Sequence, residues 1–288
     1  MIVTNSLVEG ALASLCGAVY GLTSPFVGHP LDTLKSLQQA DPRFQSLSLH
    51  AAARKAVQDR GLASLYRGVT APLLGSIMFR SLQFGSFAYA HTLLGEKRIG
   101  TSTVLGTQVE WRVLASGVFA GIARAAVENP VELIKTRRQT GGVWHFSELY
   151  HGMGITTARN TLLLTNFFVL LDVSSRHVPH LLDGPMAPFF KGGVCATLAW
   201  WTVWPLEVVK SQIQAASKIG GDAHALNRGP LTIVARFRFI LQTQGVGAFR
   251  TGLLAGTLRS ILANGASMLA FSQCRLGVDS LRSSQEQR

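Results

Sequence analysis

A ten-residue pattern that occurs three times constrains this chain more than any other feature of its sequence. In each copy a proline is followed two positions later by an acid, five later by lysine and nine later by glutamine. The copies begin at Pro30, Pro130 and Pro205, and each closes a long, moderately apolar segment. Internal similarity of this kind indicates a protein built from structural repeats, so we expect three related units.

Six long segments of moderate hydropathy make up most of the chain. They cover residues 8–38, 70–94, 108–139, 152–177, 187–215 and 251–277. Each carries a few polar residues, which is typical of membrane helices that turn one face to lipid and another to a wet cavity. Two shorter amphipathic stretches, 49–61 and 231–245, are typical of helices that lie flat on an anionic membrane surface.

Composition favours a membrane protein over a soluble enzyme. Only 15% of residues are charged and 47% are apolar, against about 25% charge in soluble proteins. The net charge of +12 suits an anionic membrane, and the chain lacks the motifs of nucleic-acid binders.

Three cysteines, far apart in apolar runs, argue against disulfides or a metal site. The first ten residues resemble neither a secretory signal nor a transit peptide.

A second element repeats between the segments. Gly61–Gly68 and Gly245–Gly252 share a Gly-aromatic-Arg-Gly framework, of which the middle unit keeps Tyr150–Gly152. On these motifs the chain resembles the mitochondrial carrier family over about residues 7–278. The resemblance implies an all-α membrane protein with six transmembrane helices in three pseudo-symmetric two-helix repeats around a central cavity, with short matrix surface helices. The implied repeats span 7–97, 108–180 (with a shortened matrix segment) and 187–280.

The resemblance assigns the first motif to a gate on the matrix side. Proline weakens the helix at that point and permits a kink toward the central axis, so each acid can meet the lysine of the next repeat. Glutamines one turn further along brace these pairs. The implied pairs are Asp32–Lys135, Glu132–Lys210 and Glu207–Lys35, and the implied braces are Gln39, Gln139 and Gln214.

The corresponding cytoplasmic gate is reduced in this sequence. Of the family's aromatic-acid-x-x-base motif, only Asp172 keeps its acid, and the resemblance pairs it with Arg275. This predicts a less stabilised matrix-open state, and hence a bias toward the cytoplasmic-open state. The alternative is a local pair between Asp172 and Arg176, one helical turn away.

Family substrate contacts lie on the even-numbered helices, 13 residues before the cytoplasmic acid position. Counting back gives the candidate substrate residues Gly75, Arg159 with its neighbour Asn160, and Arg259, to which we add His29 beside the first proline. Arginine at the membrane centre is costly and predicts an anionic ligand group. The alternative is pairing with a protein acid, which is expected for Arg124 and Glu128. Arg80 has no assigned role.

Motifs around Pro30 and Gly75 are closest to the carnitine/acylcarnitine and basic amino acid branch, although that branch commonly has an acid where Asn160 stands. We therefore expect a monomeric inner-membrane carrier of a small anionic or zwitterionic metabolite, without cofactor, metal or catalytic residues. The alternatives are a carrier of keto acids or nucleotides, a scaffold without transport, and a fatty-acid-dependent proton leak. The resemblance also implies cardiolipin binding, at Arg67, Gly68, Gly152, Arg250 and Gly252.

Overall fold

The computed structural model describes residues 2–40, 49–66, 68–104, 109–139, 150, 152–177, 184–215, 233–244 and 253–286. The α-helices in these ranges are α1 (Ile2–Ala40), α2 (Leu49–Arg60), α3 (Thr70–Glu96), α4 (Trp111–Gln139), α5 (Met153–His177), α6 (Ala187–Ala215), α7 (Ile233–Gln244) and α8 (Leu253–Glu286). At some helix positions only the backbone is described. A short 3-10 helix covers Leu62–Tyr66.

The six long helices confirm the six segments expected from hydropathy, mostly to within a few residues at each end. The main difference is α8, which runs on to Glu286. Its polar last turns are held by ion pairs: Arg275 contacts Asp279 one turn on, and Arg282 binds Glu9 of α1 at 2.6 Å. Hydropathy alone gives no sign of this extension because the added residues are polar.

The three motif prolines lie inside continuous helices rather than at their ends. Pro30 is in α1, Pro130 in α4 and Pro205 in α6. Each removes one backbone hydrogen bond from its helix. The acids two residues further along therefore follow a weakened point in the helix, as the sequence predicts.

The long helices form a closed ring in the order α1, α3, α4, α5, α6, α8 and back to α1. The main apolar cluster lies inside this ring and draws on every long helix except α8 for its fully buried members, while α8 adds Met268 and Phe271 at its margin. Helices adjacent in the chain are neighbours in the ring, as expected for connections within repeats.

Glycines bring helices of the same repeat into backbone contact. A Cβ on Gly17 of α1 would lie 2.6 Å from the Arg80 carbonyl oxygen of α3. A Cβ on Gly121 of α4 would lie 2.4 Å from the Thr161 Cα of α5. Both distances are far below van der Waals contact, so these helix pairs pack at a separation that only glycine permits.

The short helices α2 and α7 confirm the two predicted amphipathic stretches. Ala52 and Ala56 of α2 pack on Leu34 of α1. Ile240 of α7 packs on Val209 of α6 and Ile155 of α5. Both helices therefore cap the ends of α1 and α6 that carry the proline motif.

Within the described ranges, one helix is long and apolar enough to count as a membrane span by composition alone, namely α1 over Asn5–Leu34. The other long helices place arginines, glutamate and amides toward the ring interior, which lowers their mean hydropathy. This is the composition expected when helices line a polar cavity within the membrane.

Candidate functional site

A cavity of about 280 Å³ lies inside the ring, and all six long helices contribute to its wall. Four arginines converge on it: Arg80 of α3, Arg124 of α4, Arg159 of α5 and Arg259 of α8. Such a concentration of cations inside a helix ring is costly in a membrane protein unless acids or a ligand compensate it. Their partners therefore define what the cavity can bind.

Arg159 is the centre of the largest ion network. Its Nε binds the Glu207 carboxylate of α6, and its Nη1 donates to Glu128 Oε1 of α4 at 2.9 Å. Nη1 also donates to the Asn160 side-chain oxygen at 2.8 Å. The sequence-predicted residues Arg159 and Asn160 thus come together, although Asn160 is fully buried behind the cavity wall.

Glu128 supplies the acid that position 160 lacks. Its side chain is 1% exposed and accepts from Arg124 Nε at 2.6 Å, which confirms the pair expected from the sequence. Asn160 Nδ2 donates to the same carboxylate at 3.0 Å. One buried carboxylate therefore accepts hydrogen bonds from two arginines and an amide, so its negative charge is compensated within the protein.

Arg259 and Asp32, a predicted gate acid, form a second ion pair between the neighbouring helices α8 and α1. Arg259 Nε lies 2.6 Å from Asp32 Oδ1, and both side chains are about 40% exposed, at 42% and 41%. Asp32 and Glu207, expected to face lysines of the matrix gate, therefore bind substrate-site arginines here. This is the alternative of arginine–acid pairing that the sequence left open.

The remaining matrix-gate side chains lie outside the described part of the structure. These are Lys35, Lys135, Lys210, Gln39, Gln139 and Gln214. Glu132 is described and lies close enough to Arg159 to favour its charge. The cyclic gate contacts stay a prediction.

Two predicted substrate residues stand apart from the cavity. Among the described residues that line it, Gly75 is absent; its nearest side-chain neighbour is Phe79. His29 stacks on Tyr66 of the 3-10 helix, with ring centroids 6.5 Å apart, and does not line the cavity either. A direct contact of either residue with a solute stays a prediction.

Arg80, to which the sequence assigns no role, is a cavity residue of the helix on which Gly75 was expected to line the cavity. It lines the cavity five residues further along α3. Its Nη1 donates to Gln83 Oε1 at 3.0 Å and its Nη2 to Asn264 Oδ1 at 3.2 Å. The guanidinium also lies 4.8 Å from the ring centroid of Tyr20. All these partners are neutral.

An aromatic cluster closes the side of the cavity that faces the predicted cytoplasmic gate. It consists of Phe84, Phe87, Phe167, Phe168 and Phe271. The rings of Phe87 and Phe168 stack at 3.6 Å, and those of Phe84 and Phe271 lie 4.5 Å apart. Because α3, α5 and α8 all contribute, the cluster joins the second long helix of each predicted repeat. Phe167 also lines the cavity.

The ionic contacts beyond this cluster differ from the predicted Asp172–Arg275 pair. Asp172 pairs with Arg176 at 2.9 Å, the local alternative, and Arg275 pairs with Glu9 at 2.7 Å. A residue four positions away on the same helix is always within reach, whereas the cross-helix partner is not. The predicted contact is therefore not formed in this structure, and the gating role of the two residues stays a prediction.

Glu110 stands just before α4 and extends this set of ionic contacts. Burial alone would raise the pKa of its carboxyl, but the ion pair with Arg112 and the hydrogen bond from Arg176 outweigh burial and hold that pKa below its ordinary value. Arg176 Nη2 lies 3.3 Å from Glu110 Oε1. The charged form of Glu110 therefore stabilises the fold at neutral pH.

Two of the predicted lipid-binding glycines have the same backbone conformation. Gly68, shortly before α3, has φ +81°, and Gly152, just before α5, has φ +77°. Only glycine adopts this region without strain, which explains why the residue recurs ahead of both helices. Arg67, Arg250 and Gly252 lie outside the described residues, and cardiolipin binding stays a prediction.

Counting further along the three repeats from the predicted contact positions finds cavity residues that the motifs alone did not identify. Five positions after Gly75, Arg159 and Arg259 stand Arg80, Leu164 and Asn264. All three line the cavity, about 7.5 Å further along their helices. The same repeat register therefore contains a second tier of cavity residues. The aromatic cluster has a weaker signal, since Phe167 and Phe168 stand one turn before Asp172.

The helix ring and its arginine-lined cavity together define a membrane carrier built from three helix pairs. A profile described as "Mitochondrial carrier protein" matches residues 9–98 and 183–279, well over half of the chain. The chain belongs to the mitochondrial carrier family. It is a solute carrier of the mitochondrial inner membrane, and not an enzyme.

Curated relatives match over almost their whole length. The chain is 26% identical to the mitochondrial ornithine transporter 1 of Mus musculus, covering 94% of this chain and 96% of the relative. It is 28% identical to a mitochondrial arginine transporter of Arabidopsis thaliana, covering 92% and 93%. It is 27% identical to the mitochondrial basic amino acids transporter of Rattus norvegicus, covering 89% and 86%.

Proposed function

We propose that this carrier moves a small carboxylate-bearing metabolite, with amino acids as the first class to test. The observation that carries the proposal is the convergence of four arginines on one cavity. Guanidinium groups bind carboxylates through paired, charge-assisted hydrogen bonds. A cavity of about 280 Å³ has room for a solute of amino-acid size.

The named relatives support the amino-acid class, because the three reported above are transporters of ornithine, arginine or basic amino acids. Carnitine, which the sequence resemblance also suggested, gains no support from these names. An α-ammonium group has two possible acceptors, Glu207 on the cavity wall and Asp32 beside Arg259. A zwitterion could therefore exchange partners with an existing ion pair rather than bury an unpaired charge.

This exchange suggests how binding is coupled to gating. A solute ammonium group that binds Glu207 or Asp32 competes with Arg159 or Arg259 for that carboxylate. The repeat motif predicts that these two acids pair across the matrix gate, Glu207 with Lys35 and Asp32 with Lys135. Binding energy is thereby converted into a difference in stability between the two access states, as alternating access requires.

The test is uptake into liposomes that contain the purified carrier. Labelled amino acids, keto acids, carnitine esters and nucleotides are offered with and without the same solute inside, which also separates exchange from uniport. We expect saturable uptake of at least one carboxylate-bearing solute, reduced at least tenfold by Arg159→Gln. The matched control is Arg54→Gln on the exposed side of α2, which should leave uptake unchanged.

Three results contradict the proposal. If none of these solutes is taken up and none raises the unfolding temperature, the scaffold alternative is favoured, since a true ligand stabilises the state that it binds. If proton conductance rises with added fatty acid in the absence of solute uptake, the leak alternative is favoured. Uptake of a cation that lacks a carboxylate would redirect the proposal to a different class of substrate.

A further inference from the structure

We infer that Arg80 and Gln83 form a carboxylate-binding subsite in the second tier of the cavity, apart from the arginines already held by acids. The inference rests on the proposed function and specifies where the anionic group of the solute binds. It gives a role to Arg80, the cavity residue that the sequence left without one.

The first observation is the difference among the four arginines. Arg124 binds Glu128, Arg159 binds Glu128 and Glu207, and Arg259 binds Asp32. Among the described residues Arg80 has no carboxylate within ion-pair distance; its partners are amide oxygens and an aromatic ring. Arg80 is therefore the cation of the cavity whose charge the protein compensates least.

The second observation is independent and concerns Gln83. Its side chain is fully buried and lines the cavity. Its Oε1 accepts from Arg80 and from Arg124 Nη1, the latter at 2.8 Å. Two arginine donors require the oxygen at this place, so the amide nitrogen must point elsewhere. That Nε2 has no hydrogen-bond acceptor in the described structure.

A buried N–H donor without an acceptor is costly, and so is a partly buried cation without an anion. Both costs occur on one face of α3, three residues apart. A carboxylate has two oxygens, so that one can accept from Arg80 and the other from Gln83 Nε2. One ligand group would therefore supply the acceptor that Gln83 Nε2 lacks and the negative charge that Arg80 lacks.

The surroundings hold the subsite in place. Asn264 Oδ1 accepts from the Tyr20 hydroxyl at 2.8 Å as well as from Arg80, and Asn264 Nδ2 donates to Ser260 at 3.0 Å. Tyr20 in turn packs against Phe84 of the aromatic cluster at 5.2 Å. Arg80 is thus fixed from α1 and α8 before a solute arrives, which lowers the entropy cost of binding.

This position orients an amino acid in the cavity. With its carboxylate at Arg80, its ammonium group can extend toward the first tier, where Glu207 and Asp32 lie. The tiers are about 7.5 Å apart along the helices. The distance between the carboxylate of an amino acid and an ammonium group, on its Cα or on its side chain, covers part of this separation. Recognition in this carrier then depends on an anion near the aromatic cluster and a cation near the proline motif.

The experiment pairs each amino acid with the amine that lacks its carboxylate: L-ornithine with 1,4-diaminobutane, and L-alanine with ethylamine. Inhibition of uptake and thermal shift both report affinity, and the acid-to-amine ratio isolates the contribution of the carboxylate. We expect the wild-type carrier to favour the acids by about 10- to 100-fold, the range of a charged hydrogen bond. Arg80→Gln should bring this ratio close to one, whereas Arg54→Gln should leave it unchanged.

Gln83→Glu provides the sharper test, because it keeps the oxygen that Arg80 and Arg124 share but removes the Nε2 donor and adds a negative charge. We expect an unchanged or higher unfolding temperature together with at least a tenfold loss of affinity for the acids. If Arg80 and Gln83 only stabilised the fold, this variant would bind the acids as well as the wild type does. The matched control is Gln58→Glu on the exposed face of α2.

The outcomes separate the two proposals. An unchanged acid-to-amine ratio in both Arg80→Gln and Gln83→Glu, with uptake intact, overturns the subsite and leaves the proposed function standing. Equal affinity of the wild type for acids and amines overturns the subsite and also contradicts the carboxylate requirement of the proposed function. Absence of binding and uptake for every carboxylate overturns both.

Discussion

Replacing Glu128 by glutamine should destabilise this carrier more than any exposed charge change of the same kind. The carboxylate is 1% exposed and receives Arg124 at 2.6 Å, Arg159 at 2.9 Å and Asn160 at 3.0 Å. Glutamine keeps one acceptor oxygen and turns an N–H₂ group toward an arginine, so two buried cations lose their shared acid. Removing one partner of a buried ion pair costs about 3–5 kcal/mol.

For a chain of this size, each kcal/mol shifts the unfolding temperature by roughly 2–4 °C, so we expect a decrease of about 6–20 °C. The measurement is thermal unfolding of detergent-purified carrier, with both variants heated at one scan rate because such unfolding is often irreversible. The control is Asp279→Asn, whose pair with Arg275 is 3.3 Å long and about half exposed, at 49%. Exposed pairs contribute less than about 1 kcal/mol. Similar small shifts in the two variants would refute the network described for Glu128.

Three further predictions concern packing and pH. Gly121→Ala should lower the free energy of unfolding by about 1–3 kcal/mol, because its Cβ would meet the α5 backbone at 2.4 Å. Gly277→Ala, with open space around its Cβ, should be neutral or stabilising, and an equal loss in both variants would contradict the close helix contact. Phe168→Ala should cost about 3–5 kcal/mol if the aromatic cluster packs as described, and denaturant titration that shows less than about 1 kcal/mol would count against it. Glu110 has a lowered pKa, so its stabilisation is complete above the ordinary carboxyl pKa and is lost as pH falls through the folded-state value. Between neutral pH and about pH 3.5 the unfolding temperature should therefore fall more steeply for the wild type than for Glu110→Gln, and parallel curves would disprove the shift.

The sequence predicts the helices well because hydropathy and the three prolines act locally. The bounds of α6 agree with the predicted segment at both ends, and those of α3 agree at its start. The last turns of α8 were not predictable from hydropathy, since their stability depends on Glu9, which is more than 260 residues away in the chain.

The site was predictable in position but only partly in its contacts. A count along each helix finds Arg159 and Arg259 because the repeats fix the register. The same count cannot choose between alternative partners that lie at similar distances, as the pairing of Asp172 with Arg176 illustrates. Arg80 was missed because only the first tier was counted, although the threefold register applies equally to the second.

The glycine contacts within repeats have a consequence for how this molecule can move. Backbone approaches backbone between α1 and α3, between α4 and α5, and between α6 and α8, where a Cβ on Gly193 would lie 2.8 Å from the Ile261 carbonyl oxygen. We therefore expect each of these three pairs to move as one block. Motion is then confined to the three seams between blocks. An arginine bridges each seam: Arg124 reaches Gln83, Arg159 reaches Glu207, and Arg259 reaches Asp32. We therefore expect a solute bound at the centre of the ring to weaken contacts at more than one seam from a single position.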